Sequence, residues 1–223
     1  MTSGTNPSSQ PPDGQLEDGG PTGPLLGLLA RGLEVWLRQQ CQRVSDLEIR
    51  LEGSMGELLR GQVQGVRLTA RRVVFQNLSF ERVDLRSDPI QIRVGGLLRG
   101  QRLRLEHPFR VRGSVALTGE GLSRSLATPD WQGLGDQLGA QFLGVTPLES
   151  VGLEDERLIL RALAENGVAQ VDTRLVLTAE GMEVRPLDGR PPLALPMDPA
   201  IQLERAEVCA GLMELAGEAW VRP

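Results

Sequence analysis

From residue 47 onward the chain alternates apolar and polar side chains, and a period of two is the mark of a half-buried β-strand. In LEIRLEG, Leu47, Ile49 and Leu51 fall on one side and Glu48, Arg50 and Glu52 on the other. The same pattern runs through Val66, Leu68 and Ala70, through Ile90, Ile92 and Val94, through Leu103 and Leu105, and through Phe109, Val111, Gly113, Val115 and Leu117. Leu78 and Phe80 are out of phase with Val83 and Leu85, which predicts a bulge or turn between them. Strands are predicted again in ERLILRALA, AQVDTRLVLTA, MEVRPLDG, IQLERAEV and LMELAGEAWV. In the last of these Met213, Leu215, Gly217, Ala219 and Val221 share a face.

Two segments break the alternation. PLLGLLARGLEVWLRQQCQRV places Leu25, Leu26, Leu29, Leu33, Trp36, Leu37 and Val44 at spacings of three, four and seven, one face of a helix. Pro24 suits its first turn, and the stripe reads first as core packing and second as a membrane-surface face. Near residue 120, GLSRSL opens a short helix. Asp130 is then a candidate N-cap for a second one, with Trp131, Leu134, Leu138 and Phe142 as its apolar stripe and Pro147 as its end. The order is helix, about five strands, helix, about five strands.

Short repeats mark the corners. LLRGQ occurs at 58–62 and again at 97–101, each time before an alternating run. Gly61 and Gly100 fit the left-handed conformation that ends a helical turn, so the two copies predict two similar corners of one meandering sheet. LTGEG at 117–121 and LTAEG at 177–181 both read as Glu-Gly turns closing a strand.

Charge is unevenly distributed. The net charge is −5, and all 24 basic residues are arginine. Residues 50–112 carry 13 arginines against 6 acids, whereas residues 113–223 carry 8 arginines against 17 acids. The overall sign argues against nucleic acid as a partner. The basic middle fits either an anionic surface or arginines solvating the outer face of a sheet.

The chain offers little for catalysis. Its one histidine, His107, precedes a proline at a strand corner. Cys41 and Cys209 are too few for a disulfide framework or a metal site. GSMG and GLSRS do not make a nucleophile elbow, and with no lysine there is no P-loop. The expectation is therefore no enzyme, no cofactor and no metal. Residues 1–23, rich in Pro, Gly, Ser and acids, read as a disordered polar tail without the basic and apolar regions of a secretory signal. No run of eighteen apolar residues encodes a transmembrane helix, so the expected location is cytoplasmic, peripheral to a membrane at most.

The run GSMGELLRGQVQGVRLTARRVVFQNLSFERVDLRSDPIQI, the second LLRG, HPFRVRGSVALTGEGLSRSL and the terminal LPMDPAIQLE resemble the bacterial LmeA-like phospholipid-binding family. The likeness covers roughly residues 25–222. Its motifs are GS-x-x-x-LLRG, the second LLRG, and LT-x-x-x-L-x-x-L at Leu117, Thr118, Leu122 and Leu126. Secreted members carry a signal sequence or anchor where this chain has a polar tail. In this the chain is similar to members from photosynthetic bacteria that stay inside the cell. The resemblance implies an α+β fold similar to tubular lipid-binding proteins. In that fold a strongly curved antiparallel sheet wraps a long N-terminal helix, with a second helix mid-chain, in one lipid-binding-like domain over residues 24–223.

It also implies non-enzymatic binding or transfer of a phospholipid or similar amphipathic lipid in an apolar groove or tunnel. The lipid-contacting candidates are Leu29, Leu33, Trp36, Leu47, Ile49, Leu51, Val66, Leu68, Val115 and Leu117. Headgroup or membrane-surface candidates are Arg60, Arg71, Arg72, Arg99, Arg102 and Arg104. The alternative is an assembly scaffold, with a filled core and a basic strip that docks an acidic partner.

Overall fold

The computed structural model describes residues 24–91 and 107–222. The tail at 1–23 and the second LLRGQ copy at 97–101 lie outside the described residues, as do the strands expected around Ile92–Val94 and Leu103–Leu105. Helix α1 (Pro24–Gln40) leads into β1 (Arg43–Glu52), the short α2 (Met55–Leu59) and β2 (Gln62–Val63). Then come β3 (Gly65–Phe75), β4 (Leu78–Ser87), β5 (Ile90–Gln91) and β6 (Phe109–Thr118). Helices α3 (Gly119–Leu126) and α4 (Gln132–Leu143) follow. The rest is strand: β7 (Ser150–Glu154), β8 (Arg157–Ala164), β9 (Gly167–Thr178), β10 (Gly181–Pro186), β11 (Leu193–Ala194), β12 (Ile201–Cys209) and β13 (Leu212–Val221).

The mixed α+β class with antiparallel sheets is as expected, but the strands do not form one curved wall. They form a six-stranded sheet, β1-β3-β4-β6-β13-β12, a five-stranded sheet, β11-β10-β9-β8-β7, and the small pair β2-β5. The larger sheets are open, and neither is strongly curled. Nor is α1 enclosed: it lies against β1, the edge strand. The split follows from the pairing of the last hairpin. β13 takes the edge of β6 along its whole length, from Leu212 opposite Thr118 to Val221 opposite Phe109. That edge is then closed to β7, so β7 to β11 pair among themselves and pack across β12.

Several local readings are corrected. β4 runs unbroken, with Arg71 opposite Arg82 and Val73 opposite Phe80. The irregularity lies instead in the β1–β3 pairing, where Asp46 and Arg72 both have φ near +48°. Their side chains form an ion pair at 3.4 Å. The first LLRGQ corner behaves as expected: Gly61 ends α2 with φ +79°, its N–H donating to Leu58 O at 2.8 Å. LTGEG is not a turn. Thr118 is the N-cap of α3, its Oγ1 accepting from Gly121 N at 2.9 Å. LTAEG does turn, joining β9 to β10 at Gly181, φ +139°. Asp130 does not cap α4, whose N-cap is Trp131 with no side-chain bond. It accepts instead from Asn77 Nδ2 at 2.7 Å. α4 ends at Gly144, φ +72°, before Pro147 is reached.

Apolar residues gather in three clusters along one face of the six-stranded sheet. Leu117, Val208 and Met213 meet Leu138 and Phe142 of α4 and Leu160, Val171 and Val184 of the second sheet. Leu47, Ile49, Ala70, Val73 and Val83 are covered by Leu33, Leu37 and Cys41 of α1 and its end. Leu58, Val63 and Ile90 close a smaller cluster with Met55, Leu51, Val66 and Phe109.

Candidate functional site

The sheet's two faces differ sharply in chemistry. Cross-strand register puts Ile49, Leu68, Leu85, Gly113, Gly217 and Leu203 in one row across five pairings. The adjacent row is Leu51, Val66, Ser87, Val111, Ala219 and Ile201. The row on the other face, running through Arg67, Arg86, Arg112 and Glu218, is charged. This is the alternation of the sequence laid out in space.

Cover along the apolar face is graded. At the end of β6 and the start of β13, Leu117 and Met213 are 3% and 7% exposed beneath the second sheet and α4. Farther along the same two strands Val115, Gly113 and Val111, and Leu215, Gly217 and Ala219, are only half-buried. Leu68 and Leu85 on β3 and β4 are half-buried as well. The floor between the three clusters is therefore apolar and partly open. It carries no side chain at its centre, because Gly113 and Gly217 stand directly opposite each other.

The glycines are required there. A Cβ at Gly113 would lie 2.0 Å from Asp84 O, and one at Gly217 would lie 2.1 Å from Gln202 O. No side chain fits without moving a neighbouring strand, so the pair lets the strands approach closely and leaves this part of the floor without side chains of its own.

The outer face neutralises its own charge. Arg86 pairs with Glu52 at 2.8 Å and Arg82 with Glu214 at 2.8 Å. Arg110 Nη1 donates to Glu218 at 3.0 Å, and Arg112 lies 3.5 Å from Asp88. The Arg110 guanidinium also stacks over Trp220, 5.3 Å from the ring centre. The hydrogen bond from Arg110 holds the Glu218 carboxyl below the usual glutamate range. The arginine excess of residues 50–112 is thus balanced in part by Glu214 and Glu218, more than a hundred residues later in the chain. These arginines solvate a sheet face.

The expected lipid-contacting residues divide by position. Leu51, Val66, Leu68 and Val115 lie half-buried on the apolar face. Leu33 lies half-buried on α1 above it. Leu47 and Ile49 are 9% and 4% exposed beneath α1, and Leu117 packs in the other cluster. Trp36 is 53% exposed, and the Leu29 side chain lies outside the described residues. Of the arginines, Arg60 follows α2 near the start of β3, while Arg71 and Arg72 sit at its far end. Arg72 is held by Asp46. Arg99, Arg102 and Arg104 lie outside the described residues. Leu85, Val111, Gly113, Gly217 and Ala219 join the floor. The alternation had put them on inward faces, but only the packing shows which inward positions stay partly open.

Among the described residues no group of histidine, cysteine and carboxylate side chains could hold a metal ion. None of their helices is long and apolar enough to cross a membrane. His107 is exposed.

No curated protein and no solved structure matches the chain. A family model described as LmeA-like phospholipid-binding matches residues 22–215. With its motifs on the α2 corner, β3, β4, β6 and α3, the chain belongs to the LmeA-like phospholipid-binding family.

Proposed function

We propose that the protein binds a phospholipid without chemical turnover, its acyl chain lying on the apolar face along Leu68, Leu85, Val111, Gly113, Gly217 and Ala219. The observation that carries this reading is the graded cover of one apolar face. The strands that bury Leu117 and Met213 leave their other inward positions half-buried. A chain of a dozen or more methylenes laid there would gain on the order of 10 kcal/mol, at ~0.8 kcal/mol per methylene. That is enough to hold a lipid with little polar recognition. Leu33, Leu51, Val66 and Val115 extend the apolar walls, and Arg60 at the α2 corner would meet the headgroup. Loading from a membrane surface makes the protein peripheral to it.

The ion pairing of the outer face weighs against the scaffold alternative, because a strip of paired arginines offers little net charge to an acidic partner. The test is equilibrium binding of a fluorescent phospholipid to Leu68→Asn and Leu85→Asn, with Thr69→Asn on the opposite face as control. Each leucine variant is expected to weaken binding about tenfold, from roughly 1.5 kcal/mol of lost apolar burial. Equal effects in all three would overturn the placement.

A further inference from the structure

We propose that a cleft on the five-stranded sheet is a second binding site, for a phosphate group carried on a small organic body, formed by Arg174, Arg185 and Arg190. The cleft has a volume of about 600 Å³. None of its lining residues belongs to the six-stranded sheet. It is therefore distinct from the apolar face of that sheet, and the proposal does not rest on the lipid reading.

Arg174 of β9 and Arg185 of β10 are directly opposite each other in the antiparallel register. Two like charges so placed repel unless an anion lies between them. Glu183 reaches Arg185 at 3.0 Å, and Asp188 accepts from Arg190 Nε at 2.8 Å. Arg174 forms no ion pair among the described residues. Three guanidinium groups thus face two carboxylates, and the surplus is at the cross-strand pair.

The third wall is built and held. Arg190 Nη1 donates to the Phe142 carbonyl in the last turn of α4. Gln141 Nε2 donates to the Pro191 and Pro192 carbonyls at 3.4 and 3.3 Å. Pro191 and Pro192 restrict the backbone of this segment. Together with Leu187, 50% exposed, they give the cleft an apolar rim above its basic floor. Planar guanidinium forks match phosphate oxygens, and the rim suits the organic body. A lipid headgroup and a soluble phosphate ester share this chemistry.

The experiment is calorimetric titration of the full chain with glycerol 3-phosphate in chloride buffer. It is joined by flotation with phosphatidylcholine vesicles, plain or containing phosphatidic acid. Arg174→Gln and Arg185→Gln are compared with Arg205→Gln, which removes the same charge from β12. Loss of one charge-assisted contact is expected to weaken glycerol 3-phosphate about tenfold in the first two variants and leave the third unchanged. Phosphatidic acid-dependent flotation that Arg174→Gln abolishes would assign the site to a headgroup. Glycerol 3-phosphate binding without such flotation would assign it to a soluble ester. No binding of either probe, or equal loss in Arg205→Gln, would overturn the proposal.

Discussion

Gly113 and Gly217 show how much a missing side chain can decide. In the sequence they are two more positions on the alternating faces of two strands, yet each is a close approach to a neighbouring backbone. Gly113→Ala or Gly217→Ala is expected to cost about 1–3 kcal/mol in urea unfolding, the range for forced overpacking. Gly133 is the contrast: it lies in α4 with nothing within 4 Å of a built Cβ. Gly133→Ala is expected to stabilise the protein by up to about 1 kcal/mol. Glu218 gives the pH counterpart. Its folded pKa is depressed, first by the hydrogen bond from Arg110. The stability it lends is present above the ordinary glutamate value, 4.5, and is lost as pH falls through the lower folded value. In urea midpoints measured from neutral pH into acid, Glu218→Gln is expected to show a shallower decline than the wild type. The thiols differ too. Burial raises the pKa of Cys41, whereas Cys209 is exposed. Iodoacetamide at mildly alkaline pH is expected to label Cys209 first, as peptide mapping would show.

At the scale of elements, local chemistry was legible where one residue dictates one conformation. Gly61 stops α2 as its position in LLRGQ implies. The reciprocal cap of Ser54 and Glu57 on the same helix was not among the expectations, although its spacing of three is the capping-box pattern. Similar strings gave different structures where the neighbours differ. LTGEG starts a helix because the residues after it, Leu122 and Leu126, have helical spacing and pack into the core. LTAEG turns a hairpin because Met182 and Val184 resume the strand. Thr118→Ala is expected to cost about 1 kcal/mol by removing the cap of α3, measurable by thermal or urea unfolding. The β4 bulge was misplaced for a related reason. A change of apolar phase shows in the sequence of β4, while the irregular backbone, at Arg72 and Asp46, lies on the neighbouring β3 and, one strand farther, on β1.

At the scale of the whole molecule, strand content and the apolar face were legible, and the division into sheets was not. Alternation assigns each residue a face but says nothing of which edge a strand will take. The return of β13 to β6 is a contact between residues about a hundred positions apart, and it separates the two sheets. The same limit applies to the site. Leu47, Ile49 and Leu117 read like Leu68 and Val115, and only the placement of α1 and the second sheet decides which of them are covered. The arginine-rich middle is the electrostatic version: its balancing carboxylates come from β13. On the proposed function, the partly open apolar face holds a phospholipid. Native mass spectrometry of gently purified protein, followed by organic extraction and lipid analysis, tests it most directly. One co-purifying phospholipid per chain is expected in the wild type, and a reduced share of loaded protein in Leu68→Asn. A ligand-free mass that stays unchanged after incubation with anionic and neutral liposomes would contradict it.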